Sequence, residues 1–447
     1  MSELSLPWGE TEYRVLLPER WALAQVAGSA LRAARSDWRD QLAVCLGQPA
    51  AGLPLGKLLA ARRGGRVAIV VEDLTRHSPL PEILQVLLRE FEHAGVGKEQ
   101  VEFVFATGMH PPLTAEQAAR KLGPAAEGYP RRCNDWLEER GFVSVGQFDG
   151  VPIHVDRGVA DADLRIVITS VSPHLQAGFG GGSKMLIPGC APLTTIRPLH
   201  LRGVGRSFRQ LVGTDGEANP MRRVIDDAGR LIDERHGATF AVQYLLDDHD
   251  LPSSVAAGEA IPVQRMLAKQ CAVACGIVVN QPADVLIANA HPRDHDLWQA
   301  FKCIPNTIWA ARPGGVVICL ARCPAGAYGM NLPRFRLSGA WAGRLLRWLG
   351  PGAVANLATR LAPQVGGEAA FFVRLATHAL HRNPIFMVSP ALREAGVRFP
   401  GLDIFGTVEE AVAAAQKVLG TGPQRVVVFP SGGTTYPVPS GEWAGNQ

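Results

Sequence analysis

Residues 164–189 read Leu164-Arg-Ile-Val-Ile-Thr-Ser-Val-Ser-Pro-His174-Leu-Gln-Ala-Gly-Phe-Gly-Gly-Gly-Ser-Lys184-Met-Leu-Ile-Pro-Gly189. The first six are an apolar, β-branched run with little alternation, which predicts a parallel strand covered on both faces. A glycine-rich segment with a histidine and a lysine follows at once. In open α/β sheets ligands bind beyond the carboxyl ends of strands, so this loop is where a site is expected. Three consecutive glycines let backbone approach a ligand closely and offer N–H groups to an anion. It is not a P-loop, because Ser183 precedes the lysine and Met185 follows it. The dinucleotide fingerprint Gly-x-Gly-x-x-Gly also fails, ending on Ser183 when read from Gly178 and on Met185 when read from Gly180.

Similar runs recur outward from this segment. Arg66 to Val71 and Val101 to Ala106 precede it; Asp284 to Ala290, Gly315 to Leu320 and Arg425 to Phe429 follow. Helical patterns such as Pro81 to Ala94 and Asp294 to Ala311 separate them. Strand and helix in alternation predict an α/β chain of two domains with mostly parallel sheets flanked by helices. The Gln281–Pro282 turn opens the second series, so residues 1–270 are expected as an N-terminal α/β domain and 271–421 as a C-terminal one. Leu337 to His381 reads as its helical cover, and 422–447 as a return to the first domain. Polar clusters follow the strands: Asp73, Thr75 and Arg76; Gly108 and His110; His174 and the glycine loop; His291 to Asp296. Their convergence in an inter-domain cleft is the expectation.

At 447 residues, 47% hydrophobic and 19% charged, the chain has ample material for more than one core. A net charge of +4, with no basic block, argues against a nucleic-acid binder. No signal peptide and no run of about eighteen uncharged apolar residues is read, so no membrane partner is expected. Eight cysteines in such a length are not a secreted disulfide framework, and a cytoplasmic home is expected. Cys271 with Cys275, Cys319 with Cys323, and Cys303 invite a metal reading, but the four-residue spacing favours buried thiols.

Taken together, Asp73-Leu-Thr-Arg76, His110, His174 with Lys184, His200, and Gln299-x-x-Lys302 resemble, in order, the lactate racemase family. The resemblance runs from about residue 10 to the Ser431-Gly-Gly-Thr-Thr loop. It implies an isomerase that racemises or epimerises a 2-hydroxy acid by proton-coupled hydride transfer to and from a nickel-pincer nucleotide. That cofactor, the nickel complex of pyridinium-3,5-bisthiocarboxylic acid mononucleotide, would be tethered through a thioamide to Lys184. Gly180, Gly181, Gly182 and Ser183 would lie beside it, Thr75 would suit its phosphate or a turn, and His200 would ligate nickel. Imidazole suits nickel, and one protein ligand would complete a square-planar site.

The resemblance makes His110 and His174 the acid–base pair. Oxidation of a hydroxyl-bearing carbon requires removal of the hydroxyl proton, which a neutral imidazole can take. Two hands of substrate call for two bases. Arg76 would fork the carboxylate, Asp73 would orient Arg76 or a catalytic histidine, and Lys302 with Gln299 would bind the same anion, with Trp298 as a wall. Cofactor-synthesis and nickel-insertion enzymes would be required partners. His77, Pro111 and Cys133 depart from the family pattern, as does Cys323-Pro-Ala-Gly-Ala-Tyr-Gly329. These changes surround the chemical residues and bear on the substrate, for which a larger hydroxy acid or an aldonate is as apt as lactate. A sugar or sugar-acid epimerase with the same cofactor, or a cofactor-free binding protein of the same fold, are the alternatives.

Overall fold

The computed structural model describes residues 2–440 apart from 139, 205–207, 215, 328–336 and 362–369. Two compact units emerge. The loop unit comprises Leu31–Gly203 and Thr214–Val273; the terminal unit comprises the chain up to Ala30, Val204–Gly213 and the chain from Ala274 onward.

The loop unit is built on a six-stranded sheet in the order Pro252–Glu259, Thr239–Leu246, Leu164–Ser170, Val67–Val71, Val101–Phe105, Arg131–Cys133. All pairings are parallel except that of Pro252–Glu259 with Thr239–Leu246. The alternation of side chains across a strand explains why the central strands read as unbroken apolar runs. Val67, Ile69 and Val71 pack with Phe103, Ile166 and Ile168 under Ile83, Leu84, Leu87 and Phe91 of helix Leu80–Ala94. Val70, Val104 and Val167 face the other way, into Leu186, Ile187, Leu199, Val224 and Ile225. Phe103 is fully buried, with Tyr129 edge-on at 5.6 Å. Phe103→Ala is expected to cost about 3–5 kcal/mol; a denaturation midpoint showing under about 1 kcal/mol would contradict this packing.

The terminal unit carries a fully parallel sheet in the order Asp403–Phe405, Ile385–Val388, Ala311–Leu320, Ala283–Asn289, Gln424–Phe429, Trp21–Val26. The hairpin Ser2–Trp8 with Thr11–Leu17 closes one face through Leu6, Val15 and Leu17. This differs from the expected division of the chain. Gln424–Phe429 does not return to the sheet of the loop unit; it lies between Ala283–Asn289 and Trp21–Val26. A buried strand needs a hydrogen-bonding partner on each edge, and the N-terminal segment supplies one. Helices Gly339–Leu349, Pro351–Leu361 and Ala370–Arg382 occupy the predicted helical region. Tyr328 and Gly329 of the departing glycine segment lie outside the described residues.

All eight cysteines are free thiols, and Cys271, Cys275, Cys303, Cys319 and Cys323 are buried. Among the described residues, no group of three or more His, Cys, Asp or Glu is placed to hold a metal, and no helix is long and apolar enough to cross a membrane.

Candidate active site

The sheet of the loop unit reverses its winding at the junction of Val67–Val71 and Leu164–Ser170. Crossovers to one side lead to Val101–Phe105 and Arg131–Cys133, and those to the other lead to Thr239–Leu246. The loops leaving two such strands diverge, and a crevice opens at their carboxyl ends. The Glu72–Ser78 loop leaves the first strand, and the loop carrying His174 and Lys184 leaves the second.

Asp73 is buried and fully engaged. One carboxylate oxygen accepts from the Thr75 amide at 2.9 Å and the Thr75 hydroxyl at 2.6 Å; the other meets His110 Nδ1 at 2.5 Å. Burial would raise the Asp73 carboxyl, but the His110 imidazole, then Arg76 and the Thr75 hydroxyl, hold it well below the usual carboxylate range. The ionised carboxylate keeps the proton of a neutral His110 on Nδ1 and leaves the lone pair on Nε2. Asp73 thus touches His110 directly, while its charge also acts on Arg76. Thr75 serves the turn, since its hydroxyl also accepts from Arg76 Nη1 at 3.2 Å. Beneath this loop Lys121 bridges the Glu72 carboxylate at 3.2 Å and the Arg76 carbonyl at 2.7 Å, fixing the backbone from which Arg76 projects.

His174 is held the opposite way. Its Nδ1 accepts from the amides of Gln176 at 3.2 Å and Ala177 at 3.1 Å, so the neutral ring carries its proton on Nε2. The loops of the two histidines meet through Gly108 N–H donating to the Gly189 carbonyl at 3.1 Å.

The glycine loop differs from the expected anion cradle. Gly181 and Gly182 have φ of +80° and +63°, and a Cβ on either would collide with Gln243 or Gln264. The Gly182 amide donates to Gln243 Oε1 at 2.8 Å, and Gln264 Nε2 donates to the Gly180 carbonyl at 3.1 Å. Ser183 is buried against Gly229. These glycines therefore let the loop pack on two buried amides. Sequence reasoning missed Gln243, although an amide inside the apolar run Thr239–Leu246 is a signal that something polar must bind it.

Lys184 closes this loop. Desolvation, then the Arg76 and Arg222 guanidiniums, push its ammonium down to about 7, against an opposing pull from Asp73. A substantial fraction is thus neutral, nucleophilic amine at neutral pH. Sixteen residues on, in helix Leu193–Arg202, His200 Nδ1 lies 2.8 Å from the Ile196 carbonyl. That bond places the proton on Nδ1 and the lone pair on Nε2, the arrangement typical of a metal-ligating imidazole.

In the terminal unit, the predicted helix Asp294 to Ala311 is broken into Leu297–Ala300, Cys303–Thr307 and a 3₁₀ turn at Ile308–Ala310. Strand Ala311–Leu320 begins where the helix was expected to end. Pro305 has no N–H to continue an α-helical ladder from the preceding turn. Gln299 and Lys302 still meet, with Nζ donating to Oε1 at 2.8 Å, and Asp296 caps the turn through the Gln299 amide. Trp298 stacks at 4.4 Å on Phe372. His77 and His295 are exposed, and His378 stacks on Phe208.

Residues 8–210 match the lactate racemase N-terminal domain. The lactate racemase of Thermoanaerobacterium thermosaccharolyticum is 25% identical over 344 residues, covering 75% of this chain and 78% of the relative. The chain is similar to lactate racemases. A second relative, the lactate racemase of Lactiplantibacillus plantarum, is 24% identical over 270 residues, covering 58% of this chain and 61% of the relative. The likeness in fold extends over nearly the whole chain. The apoprotein structure of the Thermoanaerobacterium thermosaccharolyticum lactate racemase aligns with a TM-score of 0.79 at 20% identity, covering 98% of this chain and 100% of that one. A Thermotoga maritima protein aligns at 0.62 and 17% identity, covering 93% and 100%.

Proposed function

We propose that this chain is an isomerase, a racemase or epimerase of a 2-hydroxy acid that carries a nickel-pincer nucleotide on Lys184. The observation that carries the reading is the complementary pair of histidines at the sheet's switch point, together with a lysine whose amine is nucleophilic near neutrality. The cofactor fits these residues. A thioamide is neutral, so attachment removes the charge that burial, Arg76 and Arg222 oppose at Lys184. His200, fixed by the Ile196 carbonyl, presents Nε2 as the single protein ligand for nickel. When bound, the cofactor supplies a hydride acceptor and donor.

The chain's own residues do the rest. Arg76 forks the substrate carboxylate. His110, its proton held on Nδ1 by Asp73, takes the hydroxyl proton of one hand of substrate on Nε2. His174 hydrogen-bonds the substrate oxygen through its Nε2–H, and the proton taken by His110 is returned to that oxygen. For the other hand His174 is the base, and its ring must first turn so that Nδ1 releases the Gln176 and Ala177 amides. The acid class follows from Arg76, a planar fork for a carboxylate.

The test is coexpression with pincer-synthesis enzymes and nickel, followed by intact mass, metal content and racemisation assays on 2-hydroxy acids. A covalent adduct with about one nickel per chain is expected. An unmodified, nickel-free chain, with a related racemase loaded in parallel, would overturn the reading. His200→Ala is expected to keep the adduct but lose most of the nickel on dialysis; full nickel occupancy would remove His200 as ligand.

A further inference from the structure

The segment from Gln176 to Gly181 turns four carbonyls toward one helix. Asn219 caps helix Pro220–His236, accepting the Arg222 amide at 2.9 Å, while its Nδ2 donates to the Gln176 carbonyl at 2.9 Å. Arg222, three residues on, is buried to 1% exposure. Its Nε donates to the Ala177 carbonyl at 3.5 Å, one terminal nitrogen to Phe179, and the other to Gly181 at 3.3 Å. Asp226 holds that last nitrogen at 3.5 Å and pairs on its far side with Arg265.

Both functional side chains of the loop hang on this segment. The amides of Gln176 and Ala177 fix His174 Nδ1, and Lys184 follows Gly181 by three residues. The Gln176 side chain reaches the His200 carbonyl at 2.9 Å, which joins the nickel-ligand helix to the same segment.

We propose that Asn219 and Arg222 are positioning residues, a two-pronged clamp that sets His174 and Lys184 as one unit. A buried arginine is costly, and a backbone that only had to be covered could be covered by apolar side chains. Three carbonyls spread along a turn and the short strand after it need a fork: the planar guanidinium spans them, whereas an ammonium is a point. The same cation lies near enough to Lys184 to disfavour its ammonium. The clamp therefore acts twice, through geometry on His174 and through charge on Lys184. What those two groups do rests on the racemase reading, but the clamp is measured on the full chain expressed without cofactor enzymes, so either idea can fail alone.

The experiment labels lysines with trace acetic anhydride across pH and reads Lys184 by peptide mass spectrometry, with exposed Lys57 as internal reference. In parallel, ¹⁵N-histidine spectra report which ring nitrogen of His174 carries the proton. Wild type should label Lys184 with a midpoint near the value its surroundings impose, about 7. Arg222→Met should raise that midpoint by about one pH unit and mix the His174 tautomers. Arg222→Lys should keep the midpoint low, because charge is retained, yet speed amide exchange over residues 177–182 by about tenfold or more. Asn219→Ser keeps a helix cap but drops the Gln176 bond, and should loosen residues 176–177 with Lys184 unmoved. A folded Arg222→Met with wild-type Lys184 midpoint and His174 tautomer would overturn the clamp. If that variant does not fold, unchanged exchange and tautomer in both Arg222→Lys and Asn219→Ser would overturn it.

Discussion

Lys184→Ala, coexpressed with the cofactor-synthesis enzymes and nickel, should show no covalent adduct, and its racemisation should fall to the level of the chain produced without those enzymes. Alanine removes the only group to which a thioamide can form at this position, while the loop, held by Gln243, Gln264 and Arg222, keeps its path. An adduct of wild-type mass in this variant would sink the tether. Stability separates lost chemistry from lost fold. The Lys184 ammonium titrates near 7 in the folded chain against an ordinary value of 10.5. Between those values the unfolded chain holds a proton that the folded chain has released, so folding loses stability as pH falls through the window. The full penalty applies below about 7 and vanishes above about 10.5. Lys184→Met should therefore melt higher than wild type at pH 6–7 and equally at pH 10.5 or above. A variant that melts lower at neutral pH would show the amine to be better solvated than its surroundings indicate.

Asp73→Asn should lower kcat by about 10²–10⁴-fold, with nickel and cofactor retention unchanged. The asparagine amide can donate to His110 Nδ1, which moves the ring proton to Nε2 and removes the base. The loss should fall on kcat more than on KM, because Arg76 keeps its hydrogen bond to the Thr75 carbonyl. It should also be greater for the hand of substrate that His110 deprotonates, measured as initial rates from each enantiomer. Because the Asp73 carboxyl is held below the usual range, it stays an ionised acceptor for His110 Nδ1 through mildly acid pH. The stability it contributes is present above the ordinary carboxylate value and is lost as pH falls below that range. Equal loss from both enantiomers would remove Asp73 as the orienting group.

The alternating strands and helices, the parallel sheets and the order of the polar clusters were legible in the chain itself. Short β-branched runs such as Val67–Val71 and Leu164–Ser170 can be buried only between two layers, whatever surrounds them. The tertiary structure decided what neighbouring segments do not encode. Trp21–Val26 is a short strand with no mark of which sheet it joins, and only the open edge of Gln424–Phe429 selects it. The glycines of the Lys184 loop read as an anion cradle because an anion and a buried amide ask the same freedom of the backbone; Gln243, about sixty residues away, settles which one Gly182 meets. Asp73 precedes both an arginine and, much later, a histidine in sequence, and only the folded chain brings His110 Nδ1 to 2.5 Å from it. Arg222 carried no signal at all, since an arginine in the first turn of a helix is usually solvated, and only the carbonyls converging on it show its use. Local sequence fixes which elements form, because propensity and periodicity act over a few residues. The state of each functional side chain depends on charges and hydrogen-bond partners brought in from far along the chain, and that is information only the packed structure holds.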